Sequence, residues 1–76
     1  MSSDPIIVDA KGLNCPMPLL KAKLALNAMA SHERLRVLAT DPGSVRDFEV
    51  FSTQSGHKLL ESCQDGNTYC YLLEKK

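Results

Sequence analysis

A cysteine placed among prolines is the feature of this sequence most able to do chemistry. Cys15 precedes Pro16 and Pro18 in the segment Gly-Leu-Asn-Cys-Pro-Met-Pro. Proline suits the start of a helix, so we expect Cys15 to cap a helix with Pro16 in its first position and Pro18 in its third. The prolines remove amide donors from this end, which leaves the Met17 amide to donate to the Cys15 sulfur. They should also aim the sulfur outward.

A thiol at the start of a helix is a candidate nucleophile because the helix dipole stabilises the thiolate. We therefore expect the pKa of Cys15 to lie below its usual value. Lys11 would strengthen this effect, whereas Asp9 or Asp41 would oppose it. The alternative is a buried structural cysteine that only caps the helix.

The surroundings of Cys15 restrict the reactions available to it. No other cysteine lies within three residues of Cys15, which excludes a Cys-x-x-Cys redox centre. His32 and His57 fall at the end of a helix and the start of a strand, so neither is a good base for acyl transfer. A chain of 76 residues has no room for a deep substrate cavity. A thiol that accepts a group from one protein and passes it to another fits these restrictions.

The elements that must position this cysteine follow the order β-α-β-α-β-β. The patterns predict strands at 5–9, 34–40, 57–63 and 68–75, and helices at 16–30 and about 43–54. Right-handed crossovers would place both helices on one face of a four-stranded mixed sheet, an α/β (α+β) two-layer sandwich. If the first two strands are parallel, the loops 10–15 and 40–44 meet at one sheet edge. Helical spacing predicts that the first helix buries Leu19, Ala22, Leu26 and Met29.

Composition excludes several classes of protein. Nine basic residues balance nine acidic ones, giving a net charge of zero where nucleic-acid-binding modules carry a basic surplus. The sequence has no apolar run near the roughly 18 residues of a membrane span, and its acidic start is unlike a signal peptide. Three cysteines, an odd number, do not make a disulfide framework or a zinc knuckle. We expect one cytoplasmic, monomeric domain over residues 1–76, with residues 1–4 flexible and with no metal or cofactor.

Several residues near the loops have two interpretations. Asp41 is either a helix N-cap or a carboxylate that faces a partner. Arg46 and Asp47 are most simply a solvated helix face, with docking as the alternative. Leu20 and Leu24 form either the far edge of the buried stripe or an exposed apolar ridge.

The two remaining cysteines flank a predicted hairpin. A turn at 66–67 would place Cys63 directly opposite Cys70, whereas a turn at 65–66 would pair Cys63 with Thr68. We expect both cysteines to fill strand positions, and a resolving role stays open.

The chain resembles the TusA/SirA-like family of small sulfur-carrier proteins, or sulfurtransferases. The resemblance runs from Val8 to Lys75 and centres on residues 12–18, which match the signature Gly-Leu-x-Cys-Pro-x-Pro. Further similar positions are Asp41-Pro42-Gly43, Arg46-Asp47, Asp65-Gly66, Tyr69 and Tyr71.

The resemblance implies a two-layer α/β fold and a persulfide carried on Cys15. The sulfur would come from a cysteine desulfurase or a rhodanese and pass to an acceptor protein. Routes in the family include tRNA thiolation, molybdenum-cofactor maturation, sulfur oxidation and sulfur import. Gly12 would let the backbone approach closely, while Pro16 and Pro18 orient the sulfur. The resemblance suggests Met17, Lys23 and Asp41 as partner contacts, and the alternatives above add Leu20 and Arg46 as candidates.

Two other functions stay open. The first is a non-catalytic regulatory domain whose Cys15 senses oxidants. The second is a small nucleic-acid-binding module, which the zero net charge opposes.

Overall fold

The computed structural model describes residues 4–76, which form two helices and four strands. In chain order these are β1 (Ile6–Ala10), α1 (Met17–Asn27), β2 (Arg34–Ala39), α2 (Ser44–Ser55), β3 (Lys58–Asp65) and β4 (Thr68–Glu74). The predicted order β-α-β-α-β-β is confirmed. Of the expected flexible segment 1–4, the first three residues lie outside the described part of the chain.

The strands form one mixed sheet in the order β1-β2-β4-β3. β1 and β2 are parallel, with Val8 opposite Val37, whereas β4 is antiparallel to both of its neighbours. Parallel pairing requires a crossover between the two strands, and α1 provides it. The carboxyl ends of β1 and β2 therefore lie at the same edge of the sheet, as predicted.

Both helices pack on one face of the sheet. Alternate residues of β2, namely Leu35, Val37 and Ala39, are buried on this face, because successive side chains of a strand point to opposite sides. The helices and β4 complete the same cluster with Ala22, Leu26, Met29, Phe48, Tyr71 and Leu73. This confirms the two-layer architecture, with one face of the sheet uncovered by helices.

We call the uncovered side the open face. By register and strand alternation it carries Ile7, Asp9, Arg36, Leu38, Glu61, Cys63, Cys70 and Leu72. The hairpin between β3 and β4 turns at residues 66–67, so Cys63 is the register partner of Cys70. The alternative that paired Cys63 with Thr68 is therefore wrong.

The first helix is shorter than predicted. It ends at Asn27 rather than near residue 30, although Met29 is still buried in the core. Leu19 is only partly buried, and Leu20 and Leu24 are 42% and 71% exposed, so the exposed-ridge interpretation of the last two is correct. The residue after the last strand holds the final turn of this helix, since the Lys75 ammonium group donates a hydrogen bond of 2.8 Å to the Leu26 carbonyl.

The second helix is anchored to the sheet by its first turn. Ser44 and Tyr71 are both buried, and their hydroxyl groups share a hydrogen bond of 2.7 Å. One turn further on, the Phe48 ring stacks on the Tyr71 ring with centroids 4.3 Å apart. These contacts fix both the position and the rotation of α2 relative to the sheet.

Candidate functional site

The two loops at the carboxyl ends of β1 and β2 are joined by hydrogen bonds. The Gly12 amide donates to the Thr40 hydroxyl at 2.9 Å, and the Cys15 amide donates to Asp41 Oδ2 at 3.2 Å. The predicted contact between loops 10–15 and 40–44 is confirmed. Asp41 is not the N-cap of α2, a position that Gly43 occupies. Its carboxylate instead holds the backbone that carries Cys15.

Glycine at position 43 leaves room for this contact. A Cβ atom at Gly43 would lie 3.1 Å from Asp41 Oδ2 and 3.8 Å from Cys15 Cβ. A side chain there would push against the carboxylate that receives the Cys15 amide. At Gly12 a Cβ atom would meet no atom within 4 Å apart from the adjacent residues, so space within the described chain does not require glycine there. Its φ of +82° is the feature that favours glycine.

The start of α1 differs from the prediction by one residue. Pro16 is the N-cap, so Met17 and the buried Pro18 are the first and second helical residues, and the Cys15–Pro16 peptide bond is cis. The Met17 amide donates to the Asn14 carbonyl at 2.8 Å, which leaves it unavailable to the Cys15 sulfur. The predicted N-cap role of Cys15 and the predicted donation by Met17 are both wrong, because the helix begins one residue later and the Asn14 carbonyl accepts the hydrogen bond of the Met17 amide.

The Cys15 side chain is exposed and contacts a carboxylate of α2. Its thiol donates a hydrogen bond of 2.7 Å to Asp47 Oδ2. This bond, desolvation by neighbouring groups, and the negative charges of Asp47 and Asp41 raise the pKa of Cys15. The prediction of a lowered pKa is wrong. A full negative charge in contact with the sulfur outweighs the partial charge of a helix end, which is equivalent to only about half an elementary charge.

Asp47 is the site residue that the sequence interpretation missed. It was assigned to a solvated helix face, but the structure places it at Cys15. The helical spacing contained a usable signal. Ser44, Asp47, Phe48 and Phe51 follow the spacing i, i+3, i+4, i+7 of one helix face. A carboxylate within that otherwise inward stripe indicates a specific partner, here the thiol.

The candidate partner contacts surround Cys15 on two sides. Met17 is 44% exposed and, together with Leu20 and Leu24, makes an apolar stripe along α1. On the other side a groove between α1 and α2 is lined by Leu19, Lys23, Arg46, Asp47, Val50, Phe51 and Gln54. The Lys23 ammonium group lies 5.5 Å from the centre of the Phe51 ring. Contact between these candidate residues and a partner protein stays a prediction.

Neither histidine joins the site. His32 is exposed on the turn before β2, and the half-buried His57 accepts a hydrogen bond from the Lys76 amide at 3.0 Å. Among residues 4–76 the structure has no group of three His, Cys, Asp or Glu side chains placed to hold a metal ion. Within the same range it has no helix long and apolar enough to cross a membrane.

The comparison with known protein families decides the family. The model of the family described as Sulfurtransferase TusA matches residues 6–75. The chain belongs to the TusA family. It is 53% identical to Sulfur carrier protein TusA of Allochromatium vinosum over 68 residues, which cover 90% of each chain. Putative sulfur carrier protein YrkI of Bacillus subtilis is 41% identical over 99% of each chain.

The fold agrees with this family assignment. A crystal structure of a SirA-like protein from Desulfitobacterium hafniense superposes with a TM-score of 0.80, covering 91% of this chain and 95% of that one. Its sequence identity is 24%, so this likeness bears on the fold alone. Membership of the TusA family supports a role as a sulfur carrier, which implies one protein that donates sulfur and another that accepts it.

Proposed function

We propose that Cys15 carries sulfane sulfur as a persulfide, received from a cysteine desulfurase or a rhodanese and passed to an acceptor protein. The observation that carries this proposal is an exposed thiol at the meeting point of two loops, within the segment that matches the family signature. The site is open, so a donor's persulfide can reach the sulfur without the chain enclosing it.

The transfer requires no oxidant or reductant. The Cys15 thiolate attacks the outer sulfur of the donor persulfide, and the donor's sulfur–sulfur bond breaks with its electron pair on the donor thiolate. The proton released from Cys15 neutralises that thiolate. The acceptor repeats the step, attacking the outer sulfur on Cys15 and releasing Cys15 as the leaving thiolate.

Asp47 controls both steps. The hydrogen bond at 2.7 Å keeps the Cys15 proton in place, so the unoccupied carrier rests as a thiol. When sulfur leaves, a thiol with a raised pKa is a poor leaving group, so the loaded carrier holds its sulfur until a partner changes the surroundings of Asp47. A cation of the partner placed against Asp47 would remove this restraint.

The same contact argues against oxidant sensing as the main function. Cysteines that sense oxidants are exposed and have a low pKa, because the thiolate is the form that oxidants attack. Cys15 is exposed, but its carboxylate neighbour raises its pKa. Carriage, in which a docked partner brings its own charge to Asp47, is the better explanation of this thiol.

The exposed stripe of α1 supports a protein rather than a small molecule as the partner. Met17, Leu20 and Leu24 form an exposed apolar stripe that starts two residues after Cys15, and the exposed Lys21 and Lys23 border it. Such a surface with basic residues along it fits a partner with an apolar centre and an acidic rim.

The test is sulfur loading followed by intact-mass measurement. The wild-type protein, Cys15→Ser, and the matched control Cys63→Ser/Cys70→Ser are each incubated with a cysteine desulfurase and cysteine. We expect wild type and the control to gain one sulfur atom and Cys15→Ser to gain none. Equal loading of Cys15→Ser would contradict the assignment of Cys15.

A further inference from the structure

Cys63 and Cys70 form a pair on the open face that sulfur carriage by Cys15 leaves unexplained. They are directly opposite each other in the antiparallel pairing of β3 with β4. Directly opposite residues have Cα atoms about 4.5–5.5 Å apart. That spacing lies inside the roughly 4.4–6.8 Å that a disulfide spans. The Cys70 sulfur is near enough to raise the pKa of the Cys63 thiol.

A cation contacts one member of this pair. Arg36 Nη1 donates a hydrogen bond of 2.9 Å to Cys70 Sγ, while Arg36 Nη2 lies 3.4 Å from Glu61 Oε2. The carboxylate thus fixes a guanidinium group whose other nitrogen points at the sulfur. Contact with Arg or Lys is the setting in which cysteines act as nucleophiles. A strand-filling cysteine requires no such arrangement.

The second cysteine of the pair has the opposite surroundings. Cys63 is exposed, and desolvation by its neighbours together with the Cys70 sulfur raises its pKa. One member of the pair thus has a cation against its sulfur and is placed to attack first, and the other lies directly beside it. An attacking and a resolving thiol have this division of roles.

The pair does not serve Cys15 as its resolving thiols. Cys15 contacts Asp47 of α2, on the side of the sheet that the helices cover. Cys63 and Cys70 project from the open face, on the other side. Any function of the pair is therefore separate from sulfur transfer at Cys15.

We propose that Cys63 and Cys70 are a second thiol site, a dithiol that exchanges with low-molecular-weight disulfides and closes to a cross-strand disulfide. Cys70 loses its proton to water, and its thiolate attacks one sulfur of the small disulfide. That sulfur–sulfur bond breaks, and one small thiolate departs. Cys63 then loses its proton and attacks the Cys70 sulfur, which releases the second small thiolate. Two electrons pass from the dithiol to the small disulfide, which is reduced to two thiols.

The test uses oxidised glutathione on the Cys15→Ser background, so it is independent of sulfur carriage. We expect intact mass to show the loss of two hydrogens and no retained glutathione. The matched variant Cys15→Ser/Cys63→Ser lacks the resolving thiol, and we expect it to retain one glutathione on Cys70. A stable glutathione adduct on Cys15→Ser, or no reaction, would overturn the proposal.

Arg36 provides a second readout of the same site. On the Cys15→Ser background, Arg36→Gln should slow the first step about threefold, because the cation no longer contacts the attacking sulfur. Arg36→Lys keeps a positive charge and should restore most of the rate. Circular dichroism on each variant establishes that the fold is retained. Equal rates in all three proteins would show that the guanidinium does not activate Cys70, and would overturn its assigned role.

Discussion

Ser44 and Tyr71 share a buried hydrogen bond, so substitutions of the two residues should have non-additive effects on the free energy of unfolding. Both side chains are fully removed from solvent, and their hydroxyl groups are 2.7 Å apart. Ser44→Ala would leave the Tyr71 hydroxyl buried without this partner, and Tyr71→Phe would do the same to Ser44. Each orphaned group costs about 1–3 kcal/mol of unfolding free energy.

The double variant distinguishes a hydrogen bond from mere loss of packing. Ser44→Ala/Tyr71→Phe removes both polar groups, so neither is left unsatisfied, and its cost should not exceed that of the costlier single variant. The coupling energy from the double-mutant cycle is then about 1–3 kcal/mol. For a chain whose whole stability is about 4–11 kcal/mol, that is a large fraction.

Urea unfolding followed by circular dichroism measures these differences. With a slope of about 1 kcal/mol per molar urea, each single variant should lower the midpoint by about 1–3 M. Ser52→Ala in the same helix is a matched control, because the Ser52 hydroxyl donates to the Glu49 carbonyl of its own helix rather than to the sheet. Its midpoint should change by less than about 0.5 M. Costs that simply add in the double variant would refute the reasoning.

Two further predictions concern ionisation. In a Cys63→Ser/Cys70→Ser background, Asp47→Asn should shift the pH midpoint of Cys15 alkylation by iodoacetamide downward, because the main cause of the raised pKa is removed. Asp65→Asn in the hairpin is the control, and an unshifted midpoint for Asp47→Asn would contradict the role of Asp47. Burial raises the pKa of Tyr71, so the folded state keeps its proton after the unfolded state has lost it. Unfolding free energy should therefore fall as pH rises above about 10, and Tyr71→Phe should lose less over the same interval, as urea unfolding at several pH values would show.

The order of elements was predictable because each one has a strong local signal. The β-branched run before Asp9 predicts a strand, and the breaker-free stretch after Pro16 predicts a helix. The meeting of the two loops followed from topology alone, since parallel strands bring their carboxyl ends to one edge. Sequence patterns therefore sufficed to place Cys15 beside the residues 40–44.

The electrostatic surroundings of Cys15 were not predictable by the same means. The helix-dipole argument considered only charges near Cys15 in the sequence or at the facing loop. Asp47 lies 32 positions away in the sequence, and its contact depends on the rotation of α2. The buried contacts of Ser44 and Phe48 with Tyr71 set that rotation. A shift of α2 by one residue would turn the carboxylate by about 100° away from the thiol.

The chain thus places its thiols in opposite electrostatic surroundings, and this difference assigns them different chemistry. The Cys15 thiol donates a hydrogen bond to a carboxylate, whereas the Cys70 sulfur accepts a hydrogen bond from a guanidinium group. A thiolate beside a cation reacts with small disulfides from solution, but a thiol held by a carboxylate waits for a partner that brings its own charge. Small disulfides should therefore be intercepted on the open face more readily than at Cys15. Such a division would let the carrier thiol stay reduced and available while the dithiol reacts.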